Sequence, residues 1–235
     1  MKAGIIAAGR GERFVREGIL TPKPLLSVRG EPMIARMIRA AATLKVNSIA
    51  CVVNDLNPDV THYLKGNVWP APLDLIVKTT SSSMESLFCL APLLKDESFI
   101  LFTVDSIFSF KALKDFVAKA RSMDKSDGAL AITRFVDDEK PLWVKVDSRD
   151  KIIAMGDEAG DSPYVTAGFY YFRPNVFGMI DEARSRKLNA LRQFLGLLIK
   201  TGFSLHGVHV PKTIDVDYPE DLNKAEAFLT EIEGL

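Results

Sequence analysis

The sequence predicts an α/β protein whose sheet is mostly parallel. Three observations carry this. Short runs such as Ile49-Ala50-Cys51-Val52-Val53 and Phe99-Ile100-Leu101-Phe102-Thr103-Val104 are apolar at consecutive positions, as strands buried on both faces must be. The stretches between such runs carry helical spacing or helix-start signals, and this alternation builds helices onto a parallel sheet. The first run is followed at once by a glycine-punctuated loop, at the strand end where parallel sheets collect ligands.

That opening segment organises the chain. Lys2 to Ala8 is a short buried strand, and Gly9-Arg10-Gly11-Glu12-Arg13-Phe14 is the loop. Thr21-Pro22-Lys23-Pro24-Leu25-Leu26 closes it. Glycine lets the backbone come close to an anion, and Arg and Lys supply charge, so the segment suits phosphate. A plain turn after a strand is one alternative. A dinucleotide fingerprint is another, but Phe14 stands where its third glycine belongs and no helix is evident at Gly11.

The remaining elements follow in order. Pro32 suits the first position of a helix carrying Met33, Met37, Ala40 and Leu44 at helical spacing. Ser48–Val53 is the second strand, Asn57 caps a short helix from Pro58, and Leu73–Val77 is the third strand. Ser82 and Glu85 fit a capping box, with a helix to about Leu94. Ser98–Val104 is the most hydrophobic strand and Asp105 ends it, placed either to hold a metal or to turn the chain ahead of a helix over Lys111–Ser122. Gly128–Thr133 is a further strand.

Helical spacing disappears from Pro141 to Phe172. Trp143–Asp147 and Lys151–Ala154 alternate as a hairpin about Arg149-Asp150, and Val165–Phe172 is another strand. Asn175–Ala183 and Asn189–Thr201 are expected helices. In the strand Ser204–Val210, His206 and His209 fall on opposite faces and share no metal. Asp215 and Asp217 share one face, and Pro219 opens the last helix with Glu220 and Asp221 in its first turn.

Composition excludes some classes. The 235 residues allow one large domain or two small ones, and 47% hydrophobic content supports a sizeable core. Thirty basic residues balance thirty acidic ones, which argues against a general nucleic-acid or membrane-surface binder. Cys51 and Cys89 both sit in apolar runs and are expected to be buried and unpaired. The first apolar run is too short for a signal peptide and no run approaches membrane-spanning length, so a cytoplasmic protein is expected.

Ala7-Ala8-Gly9-Arg10-Gly11-Glu12-Arg13-Phe14, with Pro22-Lys23-Pro24-Leu25-Leu26, resembles the signature of nucleotidyltransferases such as the sugar-1-phosphate nucleotidylyltransferases. The resemblance extends from Ala3 to about Leu229, strongest at the two ends and at Asp105. It implies a single domain: a three-layer, Rossmann-like, glycosyltransferase-A-like sandwich. Residues 1–133 would be the nucleotide-binding half, 134–210 the acceptor part, and 211–235 the second metal ligand and last helix. It further implies transfer of a nucleoside monophosphate from a triphosphate to a sugar 1-phosphate, with Mg²⁺ held by Asp105 and Asp217, Asp215 in reserve. Arg13 and Lys23 would be catalytic. Ala7, Ala8, Gly9, Arg10 and Gly11, with Thr80, Ser82, Ser83 and Ser86, would contact the nucleotide. Gly168 and Thr166 would line the acceptor site. The family's Glu-Lys-Pro motif is replaced by Met155-Gly156-Asp157-Glu158, which leaves Lys145 as a substitute for its lysine. The family's usual glycine is missing near Thr80, so the base is not specified. A cytidylyltransferase acting on phosphocholine stays open, with Trp143, Tyr164, Tyr170 and Asp157 available for a quaternary ammonium. So do a binding-only regulatory relative and a dehydrogenase. No nucleic-acid or membrane partner is expected, and a homo-oligomer is left open.

Overall fold

The computed structural model describes residues 1–136 and 140–234. The chain begins with β1 (Lys2–Ala7), and a short helix α1 (Glu12–Arg16) follows the glycine loop. The helix was not evident from sequence. Gly11, left-handed at φ 64°, forms its N-cap, and Phe14 is buried inside it instead of leaving a glycine gap. The two-residue strands β2 (Ser27–Val28) and β3 (Glu31–Pro32) then pair, and α2 (Met33–Thr43) starts one residue after Pro32, which is its N-cap. Next come β4 (Ile49–Val53), α3 (Pro58–Gly66) and β5 (Leu73–Val77). Asn57 flanks α3 without a side-chain cap.

The helix α4 (Ser83–Leu94) begins at Ser82, whose hydroxyl accepts from the Glu85 N–H at 3.2 Å. Half of the expected capping box forms, because the Glu85 carboxylate pairs with Arg184 instead. Then come β6 (Phe99–Thr103), the two-residue β7 (Ser106–Ile107) and α5 (Phe110–Arg121), which Ser109 caps. β8 (Gly128–Thr133) precedes the hairpin of β9 (Val144–Val146) and β10 (Ile152–Met155). β11 (Val165–Phe172) leads into a 3₁₀ turn over Pro174–Met179 and then α6 (Ile180–Ser185), where a single helix was expected. The end comprises α7 (Leu191–Lys200), β12 (Leu205–His209), β13 (Ile214–Asp215) and α8 (Pro219–Glu233).

Seven strands form one sheet in the order β12-β8-β11-β6-β1-β4-β5. All neighbours are parallel except β11, which runs against both β6 and β8. The fold is therefore the mostly parallel sandwich expected, with one reversed strand. Successive residues feed opposite layers. Ile5, Phe102 and Phe169 pack with α2 and α5, while Ile6, Leu101 and Tyr170 pack with α4 and α7. A third cluster of Phe14, Met33, Ile107, Ile214 and Phe228 fastens α1 and α8 at the carboxyl edge. Cys51 is fully buried, whereas Cys89 is only half-buried.

After β1 the chain builds β4 and β5 on one side, then crosses back to place β6 on the other. The crevice outside the ends of β1 and β6 is the sheet's switch point. The glycine loop and Asp105 both open there.

Candidate active site

Four charged side chains meet at this crevice. Lys23 Nζ lies 2.8 Å from Asp105 Oδ2 and 2.9 Å from Asp217 Oδ1, and Arg13 Nη1 lies 2.7 Å from Asp217 Oδ2. Local structure explains how residues so distant in sequence converge. A 3₁₀ turn over Lys23–Leu25, begun at Pro22, aims Lys23 inward. β7 pairs with β13, setting Ile107 beside Ile214, and the Val216 N–H donates to the Asp105 carbonyl at 3.0 Å. The Asp221 carboxylate accepts from the N–H groups of Asp217 and Tyr218, at 3.1 and 2.8 Å, which holds Asp217 at the head of α8. The Arg13 guanidinium lies 4.8 Å from the centre of the Tyr218 ring.

Lys23 is only 13% exposed. Burial works against its charge, but the two carboxylates outweigh burial and hold its pKa above the ordinary lysine value. Asp105 shows the converse: burial opposes its ionisation, Lys23 overcomes this, and its pKa falls below the usual carboxylate value. Lys23 and Asp105 are thus both charged at neutral pH.

Two cavities open onto it. The larger, about 720 Å³, is lined by Ala7 to Arg13, Lys23, Thr80 to Ser83 and Ser86. All the residues expected to touch the nucleotide border it. Some of their hydroxyls already have partners: Thr80 Oγ1 and Ser86 Oγ are 2.6 Å apart, and Ser82 caps α4. The smaller cavity, about 220 Å³, is lined by Thr166, Gly168, Tyr170, Arg192 and Asp215 among others. Ser83, Thr103, Asp105 and Asp217 border both.

Several placements differ from expectation. Lys145 is exposed on β9 and borders neither cavity, because the pleat turns it to solvent between buried Val144 and half-buried Val146. Gly168 borders the smaller cavity, but the space a side chain would need is filled by Ser106: a Cβ there would lie 1.7 Å from Ser106 Oγ. Ser106 Oγ in turn donates to Asp215 Oδ1 at 2.6 Å. The four residues available for a quaternary ammonium do not assemble. Tyr170 borders the smaller cavity, Trp143 and Asp157 border a separate groove along α7, and Tyr164 packs on His209. His206 and His209 have separate partners, Ser126 and Asp150.

Sequence reasoning missed Asn54. It is buried just past β4, and its amide donates to the carbonyls of Gly9 at 2.9 Å and Ala8 at 3.4 Å, pinning the glycine loop from below. A polar residue ending an otherwise apolar strand was the available signal. Arg192, on the first turn of α7, was also missed and had no comparable signal.

Fold and site together define an α/β nucleotidyltransferase, with a glycine loop and a charged cluster at the switch point of the sheet. Residues 3–168 match the MobA-like NTP transferase domain, and the chain belongs to that family. It is 24% identical over 239 residues to the UTP–glucose-1-phosphate uridylyltransferase AglF of Haloferax volcanii, covering 98% of this chain and 97% of that protein. Among solved structures it resembles a putative glucose-1-phosphate thymidylyltransferase from Bacillus anthracis, with a TM-score of 0.84 at 20% identity over 99% of this chain and 96% of the other. It also resembles the inositol-1-phosphate CTP transferase of T. maritima, with a TM-score of 0.82 at 20% identity over 98% and 96%.

Proposed function

We propose that the protein transfers a nucleoside monophosphate from a nucleoside triphosphate to a sugar 1-phosphate and releases pyrophosphate. The observation that carries this is the pair of cavities meeting at Asp105 and Asp217. One cavity is built from a glycine loop, the other from hydroxyls and a carboxylate, and two substrates reacting in line need such an arrangement. An oxygen of the acceptor phosphate attacks the α-phosphorus, and the bond to the oxygen bridging α and β breaks. The electron pair leaves with pyrophosphate, so no covalent enzyme intermediate is needed. Positioning and charge stabilisation then carry the catalysis.

The N–H groups of Ala8 to Gly11 cradle the triphosphate, and Arg13 and Lys23 offset charge that develops on it. Residues 1–133 serve the nucleotide, 134–210 the acceptor, and 211–235 bring Asp217. Asp105 and Asp217 suit Mg²⁺, which is commonly held by one or two carboxylates together with substrate phosphates. Their grip on the Lys23 ammonium supports this fit, since it shows the pair collecting positive charge. Among the described residues no group of three or more acidic, His or Cys side chains forms a metal site from protein alone. When bound, the ion would neutralise phosphate oxygens. The reaction draws on the cytoplasmic triphosphate pool, and no helix of the described residues is long and apolar enough to cross a membrane.

Pyrophosphate release, measured for each of the four common triphosphates against a panel of hexose and heptose 1-phosphates, tests the reading. Turnover with at least one pair is expected. Release with CTP and phosphocholine, and with no sugar 1-phosphate, would replace it with the cytidylyltransferase alternative. No release with any acceptor would favour a binding-only relative.

A further inference from the structure

Charge in the smaller cavity is unevenly matched. Lys23 and Arg13 are already bound to Asp105 and Asp217. Asp105, Asp215 and Asp217 all border the smaller cavity, and among the described residues Arg192 is the only cationic one that does. Arg192 makes no ion pair among the described residues, and its Nη2 donates to an uncharged group, the Lys140 carbonyl, at 3.2 Å. A dianion entering here meets, among the described residues, three carboxylates and one guanidinium that is in no ion pair.

The position of that guanidinium is built in. Arg192 leaves the first turn of α7, and the preceding N–H, of Leu191, donates to Ser83 Oγ at 3.0 Å. Ser83 is part of the wall that both cavities share. Tyr170, Asp105, Asp215 and Arg192 all line this one cavity, so the guanidinium and the carboxylates face the same space.

We propose that Arg192 receives the phosphate of the acceptor and orients its attacking oxygen. This rests on the acceptor reading above and supplies the cation that Lys145, exposed on β9, does not. A guanidinium fork matches two phosphate oxygens and stays charged throughout, which a lysine does only as a point charge. Arg192 exchanges no proton in the reaction. It is a positioning residue that touches substrate.

The test is the kinetics of pyrophosphate release by Arg192→Ala, Arg192→Lys and Lys145→Ala. Arg192 is exposed, so its variants should melt as the wild type does. Arg192→Ala is expected to raise the KM for the sugar 1-phosphate by about 10- to 100-fold, the scale of a lost charge-assisted hydrogen bond. The triphosphate KM should stay near the wild-type value, Arg192→Lys should recover part of the loss, and Lys145→Ala should recover or lose nothing. An unchanged acceptor KM in Arg192→Ala, or an equal rise in both KM values, overturns the proposal. If the wild-type protein turns over no sugar 1-phosphate, the functional reading fails and the inference is tested separately. Inorganic phosphate is then titrated by ³¹P NMR with tripolyphosphate filling the triphosphate cradle. Weaker phosphate binding in Arg192→Ala sustains the role of Arg192, and equal binding overturns it.

Discussion

Gly168→Ala should be far more costly than a one-carbon change suggests. Gly168 is left-handed at φ 78°, within a register shift of β11 between Thr166 and Tyr170. Leaving glycine there costs about 1 kcal/mol of backbone strain. The added methyl would lie 1.7 Å from Ser106 Oγ and 2.5 Å from Ser106 Cβ, too close for any rotamer of Ser106 to relieve both. Overpacking of that kind costs about 1–3 kcal/mol. Displacing Ser106 also breaks its hydrogen bond to Asp215, worth about 1.5–3 kcal/mol to a charged acceptor. The total is about 3.5–7 kcal/mol, and Asp215 loses its fixed orientation in the smaller cavity. Urea unfolding of the variant gives the stability, and Gly168→Ala with Ser106→Gly completes a double-mutant cycle. In the Ser106→Gly background the steric and hydrogen-bond parts of the Gly168→Ala cost should vanish, leaving about 1 kcal/mol of backbone strain. A Gly168→Ala cost below about 1 kcal/mol, or the same cost in both backgrounds, would show that Ser106 does not dictate this glycine.

Asp105→Asn and Asp217→Asn should each lower pyrophosphate release at least about a hundredfold while circular dichroism stays native, because each removes a charged ligand from the divalent ion proposed to act here and a charged partner from Lys23. Lys23→Ala should cost about 2–4 kcal/mol of transition-state stabilisation, measured from kcat/KM, since it removes one preorganised cation. Gly11→Val should weaken triphosphate binding in a direct titration: its Cβ would lie 3.1 Å from Lys23 Cβ, at a φ of 64° that a β-branched residue rarely adopts. The pH dependence of stability has a definite sign. Asp105, lowered, stabilises above its unfolded pKa and loses this as pH falls through its folded value, whereas Lys23, raised, stabilises below its unfolded pKa and loses this as pH rises through its folded value. Urea midpoints should therefore be insensitive to this pair near neutrality, and Asp105→Asn should bring the alkaline loss to lower pH.

Much of the fold was legible because its strands are buried on both faces. Phe99 to Thr103 and Ile49 to Val53 needed no periodicity to be recognised, since only the middle of a sheet tolerates such runs. The helix after Gly11 was not legible. It is five residues long, and its stability comes from Phe14 entering a cluster with Ile107, Ile214 and Phe228, none of which is near it in sequence. The split of 174–185 into a 3₁₀ turn and α6 has the same character: termini and short turns depend on local geometry that apolar spacing does not encode.

The site divides along the same line. Arg13, Lys23, Asp105 and Asp217 could be named because the resemblance to nucleotidyltransferases rests on the segments that hold them, a glycine loop, a Pro-Lys-Pro step, a strand end and the approach to a Pro-Glu-Asp-Leu helix start. What they do to one another was not nameable. That Lys23 stands between both carboxylates depends on β7 meeting β13, a pairing of two residues with two that no sequence pattern announces. Gly168 marks the limit most sharply. Gly168 was expected to line the acceptor site and does border the smaller cavity, yet the space beside its α-carbon is taken by Ser106, whose hydroxyl then aims Asp215. A glycine reports that something must come close. Only the fold says whether that something is substrate or the protein's own side chain, and here the same few atoms make Asp215 a fixed group facing the cavity that Arg192 also borders.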